Sequence, residues 1–233
     1  MKICCITGSN GGIAKQLKKY LLQLNVKIYG CSRTKDNFKH KNYFHKVLDA
    51  TDQQQVRGWF EYIYEFEKKI DILICLAGTT SGGNLVFNID HISEFQSDFA
   101  NTFKSTIICN KEILRYFIKS KSGSIINFSS LAYKKNLIGS SIYSSSKSAV
   151  TSFTKILARE NIKFNINANI IIPSLIENSD TIKRGKKWRD SILSLQDTVD
   201  SDSAKSIANL ILFLNQKNNL LITGQEISIG TIL

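Results

Sequence analysis

Short apolar runs alternate with longer amphipathic stretches from residue 2 to residue 229, and this alternation predicts strands and helices in turn. Residues 2–7 form the first apolar run. A helix over about 12–24 follows, with Ile13, Leu17, Tyr20, Leu21 and Leu24 at helical spacing. Residues 26–31 read as the second strand and 43–48 as a short third. A helix over 53–69 precedes a strand at 71–76, whose lack of polar alternation marks it as buried on both faces. One long helix is expected over 92–120, then a strand at 124–129 and a helix over 141–160. The run Ile166-Asn167-Ala168-Asn169-Ile170-Ile171-Ile172 is a strand (165–172) closed by Pro173. Residues 174–200 are charged and irregular, 204–214 helical, and 220–229 a last strand. Strands that alternate with helices in this way build βαβ units and a parallel sheet. With no repeat and no low-complexity linker, the 233 residues read as a single domain, 1–233.

Composition adds little to that picture. Apolar residues make up 42% and charged residues 21%, as in ordinary globular proteins. No apolar run approaches the ~20 residues of a membrane helix, and the N-terminus enters a strand at once, without a signal peptide. The five cysteines (4, 5, 31, 75 and 109) lie mostly within apolar runs and lack metal spacing, so no metal site is expected. They read as reduced core thiols of a cytoplasmic protein. The net charge of +12 is spread along the chain without a reader motif, which argues against nucleic acid and membrane as partners. One dense tract, Lys183-Arg184-Gly185-Lys186-Lys187-Trp188-Arg189, stands apart.

Two stretches carry chemistry. The first is Thr7-Gly8-Ser9-Asn10-Gly11-Gly12-Ile13-Ala14, between the first strand and the first helix. Glycines let the backbone approach a pyrophosphate, and the helix N-terminus offers N–H groups and partial positive charge. In that position the turn signals a dinucleotide. The second strand ends in Gly30-Cys31-Ser32-Arg33. No acidic residue stands there to hold the ribose hydroxyls of NAD, whereas a hydroxyl and a guanidinium suit a 2′-phosphate. NADP(H) is therefore the favoured cofactor and NAD(H) the alternative. The second stretch is Tyr143-Ser144-Ser145-Ser146-Lys147, with Ser130 thirteen residues before the tyrosine. Four residues apart on a helix, the phenol and the ammonium share a face. A nearby cation pulls the phenol pKa down from ~10 toward the working range, and a serine hydroxyl from another element can hold the substrate oxygen. That set suits the interconversion of a carbonyl and an alcohol by a bound hydride carrier. The spacing alone is weak, because Tyr64-x-x-x-Lys68, with Thr51 thirteen residues before it, repeats it inside an aromatic amphipathic helix. Ser130 differs in ending an apolar run.

Taken together, these residues resemble the short-chain dehydrogenase/reductase family, in the single-domain form that includes the acyl-carrier-protein ketoreductases. The resemblance spans nearly the whole chain and implies a Rossmann-like, doubly wound sheet of seven parallel strands flanked by helices. Ser130, Tyr143 and Lys147 match the catalytic positions in order and spacing. Asn101 looks like the asparagine of the mid-domain helix, which would hold a water relaying protons to the lysine. Asp49 looks like the aspartate against the adenine. The expected cofactor contacts are Gly8, Ser9, Asn10, Gly12, Ile13, Ser32, Arg33, Asp49, Ala50, Ala77, Gly78 and Pro173, joined by Tyr143 and Lys147. Three departures stand out. Ala14 replaces a glycine, Cys75-Leu76 replaces an asparagine pair, and Ser174 follows Pro173 where glycine is usual. The loss of the asparagines predicts a less polar wall beside the cofactor. The resemblance also implies a substrate lid at about 174–200, whose basic tract could receive an anionic handle, and a homodimer or homotetramer through the helices at 92–120 and 141–160. The competing readings are a nucleotide-sugar-modifying relative and a cofactor-binding regulator without turnover.

Overall fold

The computed structural model describes residues 1–79, 85–88, 92–174, 190, 193–194 and 203–230. Seven apolar runs form strands: β1 (Lys2–Thr7), β2 (Val26–Ser32), β3 (Tyr43–Val47), β4 (Ile72–Cys75), β5 (Gly123–Phe128), β6 (Ile166–Pro173) and β7 (Glu226–Ile229). They make one sheet in the order β3-β2-β1-β4-β5-β6-β7, with every pair parallel. Successive side chains of a strand point to opposite faces, so each run feeds two cores. Cys4, Ile6, Ile72 and Ile74 meet Leu17 and Leu21 of α1 (Gly12–Gln23) together with Ile207, Ile211 and Leu214 of the last helix. Ile3, Cys5, Leu73 and Cys75 meet Phe60 and Ile63 of α2 (Gln53–Glu67) on the other face.

The chain winds outward from β1 to β3 and then returns to β4 on the far side of β1. The ends of β1 and β4 therefore mark the point where the winding reverses, where open α/β sheets leave a crevice for ligands. Both strands are buried along nearly their whole length, β4 completely. Among the described residues no helix is long and apolar enough to cross a membrane.

Several boundaries differ from the expectation. The predicted helix over 53–69 stops at Glu67, because Lys68 adopts a left-handed conformation and closes the helix. The predicted long helix over 92–120 is α3 (Ile92–Phe99) and α4 (Ser105–Ser120), joined by one turn of π-helix at Ala100–Lys104. A short helix, α5 (Leu131–Lys134), follows β5 and was hidden from periodicity by its length. It precedes α6 (Ser141–Asn161). After α7 (Ser203–Leu214), the last strand shrinks from 220–229 to Glu226–Ile229, because a 3-10 turn at Lys217–Asn219 and the turn at Gly224 (φ 72°) take up the residues before it. The predicted lid over 174–200 lies outside the described residues apart from positions 174, 190, 193 and 194, and so does the whole basic tract 183–189.

Close packing of α4 on the sheet depends on a missing side chain. A Cβ at Gly123, the first residue of β5, would lie 2.2 Å from the ring of the fully buried Phe117. Overpacking of this kind costs about 1–3 kcal/mol. Gly123→Ala is accordingly expected to lower stability by about that amount in urea denaturation. Combined with Phe117→Leu, its loss should be smaller than the sum of the two single losses, since the smaller side chain makes room.

Candidate active site

The first strand ends in a turn shaped by close backbone approach. Gly8 has φ +66°, and a Cβ there would stand 2.7 Å from the amide nitrogen of Ala77. Only glycine fits both conditions. The ends of β1 and β4 are held together by the Ala77 N–H, which donates to Thr7 Oγ1 at 3.1 Å. Gly11 N–H closes the turn on the Gly8 carbonyl at 2.9 Å. Helix α1 then starts on Gly11 with no side-chain cap and no acidic residue in its first turn. The positive end of its dipole is thus uncompensated by any side chain of the helix itself, the arrangement that suits an anion.

Above this turn lies a cleft of about 240 Å³. The structure gathers many of the expected contacts on its walls: Gly8, Asn10, Ser32, Arg33, Asp49, Ala50, Ala77, Gly78 and Asn101. Asp49 Oδ1 accepts from the N–H and the hydroxyl of Thr51 at 2.8 and 2.9 Å, which fixes the carboxylate on the rim. Arg33 reaches Asn101, donating from Nη1 to Oδ1 at 3.3 Å. Ser9 is fully buried beneath the turn, Ile13 is half-buried in α1, and Pro173 ends β6 beside Ile229.

Ser130, Tyr143 and Lys147 are not among the residues that line this cleft. Tyr143 and Lys147 share one face of α6, with the Lys147 Nζ 5.8 Å from the centre of the Tyr143 ring. Lys147 is buried and donates from Nζ to the carbonyl of Phe128 at 2.8 Å. That bond joins α6 to the end of β5, two residues before Ser130. Burial disfavours the ammonium and brings its pKa from 10.5 to about 8. Ser130 caps α5, accepting the N–H of Ala132 at 3.2 Å, and is half-buried. Its neighbour Ser129 is buried, with its hydroxyl between the Lys147 carbonyl and Thr151. Of the two serines, Ser129 fastens strand to helix and Ser130 stands at the strand end.

Asn101 sits within the π-turn that interrupts the predicted long helix. Such turns recur at functional sites because they turn a side chain out of helical register. The Asn101 amide is engaged with Arg33 and with Ser97 Oγ at 3.1 Å, and its carbonyl accepts from Ser105 Oγ at 2.7 Å. The side chain is thus directed to the Arg33 wall of the cleft. No hydrogen bond joins it to Lys147 among the described residues.

The second Tyr-x-x-x-Lys copy has a different setting. Lys68 lies past the end of α2 in the left-handed conformation, and the Tyr64 ring packs on Tyr116 at 4.8 Å. It is part of the α2–α4 packing. Other groups escaped the sequence reading. Cys75 replaces an amide, but Asn110 of α4 donates to its Sγ at 3.4 Å and exchanges hydrogen bonds with Asn127 of β5, which also reaches Thr154. These amides are buried behind Cys75, while the cleft itself is lined at this point by Leu76. Burial pushes the Cys75 thiol up to about 12, so it stays protonated. Lys18 was the other omission. Its signal was a lysine on the apolar stripe of α1, between Ala14, Leu17 and Leu21.

A parallel sheet with a glycine turn at its winding reversal defines a Rossmann-like fold of the dinucleotide-binding kind. A family model described as short chain dehydrogenase matches residues 2–190. Curated relatives include the 3-oxoacyl-[acyl-carrier-protein] reductases of Buchnera aphidicola subsp. Schizaphis graminum, 30% identical over 98% of this chain and 96% of the relative, and of Thermotoga maritima, 28% identical over 98% and 96%. Among solved structures, ElxO with NADP bound superimposes with a TM-score of 0.88 at 27% identity, covering 98% of this chain and 96% of that one. A tyrosine-to-phenylalanine variant of ElxO with NADPH bound gives the same TM-score at 26% identity, covering 97% and 96%. The chain belongs to the short-chain dehydrogenase/reductase family, and it is an oxidoreductase.

The lowered pKa of Lys147 has a consequence for stability. Between about 8 and 10.5 the unfolded chain still holds this proton while the folded chain has lost it. Through that window Lys147 makes stability rise with pH, and below it the buried ammonium is a steady cost. Lys147→Met removes the term. Urea denaturation of both proteins should show the stability of Lys147→Met relative to the wild type falling as pH climbs through the window.

Proposed function

We propose that the chain interconverts a carbonyl and a secondary alcohol with NADP(H), with Tyr143 as the general acid and base. The observation that carries this reading is the pairing of Tyr143 with Lys147 on α6, whose ammonium is bonded to the end of β5 two residues before Ser130, in a chain whose β1–α1 turn allows close backbone approach. A bound nicotinamide supplies or accepts the hydride. The fit of such a cofactor rests on the cradle at Gly8, where a side chain would strike Ala77, and on the uncapped start of α1. Gly8, Asn10, Gly12 and Ile13 are the residues to hold its pyrophosphate; Ser9, expected among them, is fully buried with its N–H on the Cys31 carbonyl and supports the turn from beneath. Asp49, Ala50, Ala77 and Gly78 are those for the adenosine side, and Pro173 stands at the nicotinamide end. Ser32 and Arg33 select the 2′-phosphate.

In reduction, Tyr143 gives its proton to the carbonyl oxygen, which the Ser130 hydroxyl holds against the phenol. Lys147 is still largely protonated at neutral pH, and its charge favours the phenolate that remains. Asn101, on the π-turn, is the residue for a water that returns protons to Lys147. The names of the curated relatives support a 3-oxoacyl thioester on acyl-carrier protein as the substrate class, and a basic lid would suit that anionic carrier. Five buried free thiols fit a reducing, cytoplasmic setting. We read the assembly as a homodimer or homotetramer through the helices at 92–120 (α3 and α4) and 141–160 (α6), a state that light scattering reads directly.

Tyr143→Phe is expected to lower kcat by about 10²–10⁴-fold, the usual contribution of general acid catalysis, while NADPH still binds. A rate within about tenfold of the wild type would sink the assignment. Binding without turnover in the wild type, across a panel of carbonyl substrates, would turn the reading toward a cofactor-binding regulator. Arg33→Ala should weaken NADPH by about tenfold or more, the worth of one charge-assisted hydrogen bond, and leave NADH nearly unchanged. Fluorescence titration of each nucleotide separates the two.

A further inference from the structure

Beneath the glycine turn lies a buried polar cluster with no part in the chemistry above. Lys18 of α1 is 1% exposed, an unusual position for a lysine. Its ammonium forms an ion pair with Asp36, lies 3.4 Å from the carbonyl of Ser9, and packs on the rings of Phe38 and Tyr43. Asp36 also accepts the Tyr43 hydroxyl at 2.7 Å and the Phe38 N–H at 3.0 Å. Tyr43 OH lies 3.2 Å from Ser9 Oγ as well. Room for this meeting comes from Gly30 of β2, where a Cβ would stand 2.7 Å from both Ser9 and the Tyr43 oxygen. Burial by itself would lift the Asp36 pKa. The bonds from Lys18, Phe38 and Tyr43 outweigh it and keep the carboxylate ionised.

The cluster joins four pieces of chain: the β1–α1 turn at Ser9, helix α1, the β2–β3 connection at Asp36, and β3. It therefore fixes one end of the short segment 32–36 to the turn. The segment has two other anchors. Asn10 Nδ2 donates to Thr34 Oγ1 at 3.1 Å and to the Lys35 carbonyl at 3.2 Å. Ser32 Oγ donates to the Thr34 carbonyl at 2.7 Å and lies 2.8 Å from His45 Nε2. Arg33 sits between these fixed points, at the rim of the cleft.

Stability is a poor explanation for the pair. Replacing a buried ion pair with apolar residues is often neutral or stabilising, whereas such pairs can fix one arrangement of chain against others. We propose that Lys18, Asp36 and Tyr43 are positioning residues that hold the Arg33 segment against the β1–α1 turn, and so set the discrimination between a cofactor with a 2′-phosphate and one without. The inference rests on the NADP(H) reading given above. The network acts through backbone placement: it locks residues 32–36 against the β1–α1 turn. Without the lock, Arg33 must pay the ordering entropy at each binding event.

The test compares dissociation constants of NADPH and NADH, read from nucleotide fluorescence, in the wild type, in Lys18→Met/Asp36→Asn and in Tyr43→Phe. The double variant leaves no orphaned charge, and the single one is close to isosteric, so at least one is expected to fold. The expected result is a wild type that prefers NADPH and a double variant whose preference falls by about tenfold or more, with NADH affinity within about threefold. Tyr43→Phe should lie between. If the wild type prefers NADPH and both variants keep that ratio, the network has no selecting role. Equal weakening of both nucleotides overturns it too, since that is general damage to the turn. A wild type without preference overturns the NADP(H) reading first and the selecting role with it.

Discussion

The hydrogen bond from Lys147 Nζ to the carbonyl of Phe128 is the joint on which the site depends. Strand β5 and helix α6 are separate elements with α5 and a loop between them, and their relative placement decides whether Ser130 and Tyr143 can face one oxygen. The bond sets that placement from the helix side. Ser129 and Thr151 repeat it one turn further on, where both hydroxyls close on each other and on the Lys147 carbonyl. All of these groups are buried. In a low dielectric such bonds are strong and their loss costly, so the strand end and the helix move as one body. Ser130 then needs no partner on α6: its position follows from β5 and from capping α5.

The rest of the sheet supplies the frame. Burial on both faces favours apolar residues in both alternations of the inner strands β1, β4, β5 and β6, and it leaves polar chemistry to the strand ends and a few paired side chains. Asn110, Asn127, Thr154 and Cys75 are such a set, satisfied across α4, β5, α6 and β4. A domain of this family that lacks asparagines at the end of β4 can therefore keep amide groups beside that strand by drawing them from its neighbours. The substitution at Cys75 is a relocation of polarity by one layer. The thiol itself is held protonated by burial and acts as a weak hydrogen-bond partner.

Much of the fold was legible because its signals are local. Alternating apolar runs such as 71–76 and 124–129 have one reading in a βαβ chain, and Gly8 needs a turn that no side chain allows. What failed to show was of two kinds. Ends of elements depend on single residues in left-handed backbone, as at Lys68, or on turns such as the one at Gly224, and periodicity carries no information about them. Interruption of a helix is harder still: residues 92–120 keep helical spacing throughout, and nothing in their pattern announces a π-turn at Asn101. The site divides in the same way. Tyr143 and Lys147 needed only helical geometry to be paired. The direction of the Asn101 amide and the company of Cys75 depend on residues distant in sequence. The decoy at Tyr64 shows why spacing is insufficient: four residues align two side chains only while the helix continues, and α2 ends one residue short of Lys68.

Two buried lysines in one domain make the last contrast. Lys18 faces a carboxylate, and the pair is electrically closed, with its charges spent on holding chain to chain. Lys147 is buried too, and burial is the chief influence on both lysines, but no carboxylate among the described residues offsets that cost at Lys147. A closed pair at Lys147 would keep the ammonium charged and direct its field at the partner. An open one leaves that field for Tyr143, 5.8 Å from the ammonium to the ring centre. The cost is a lysine whose proton is held less firmly than in water. That cost accompanies a cation without a carboxylate partner, because a paired carboxylate would cancel much of the field that reaches the phenol.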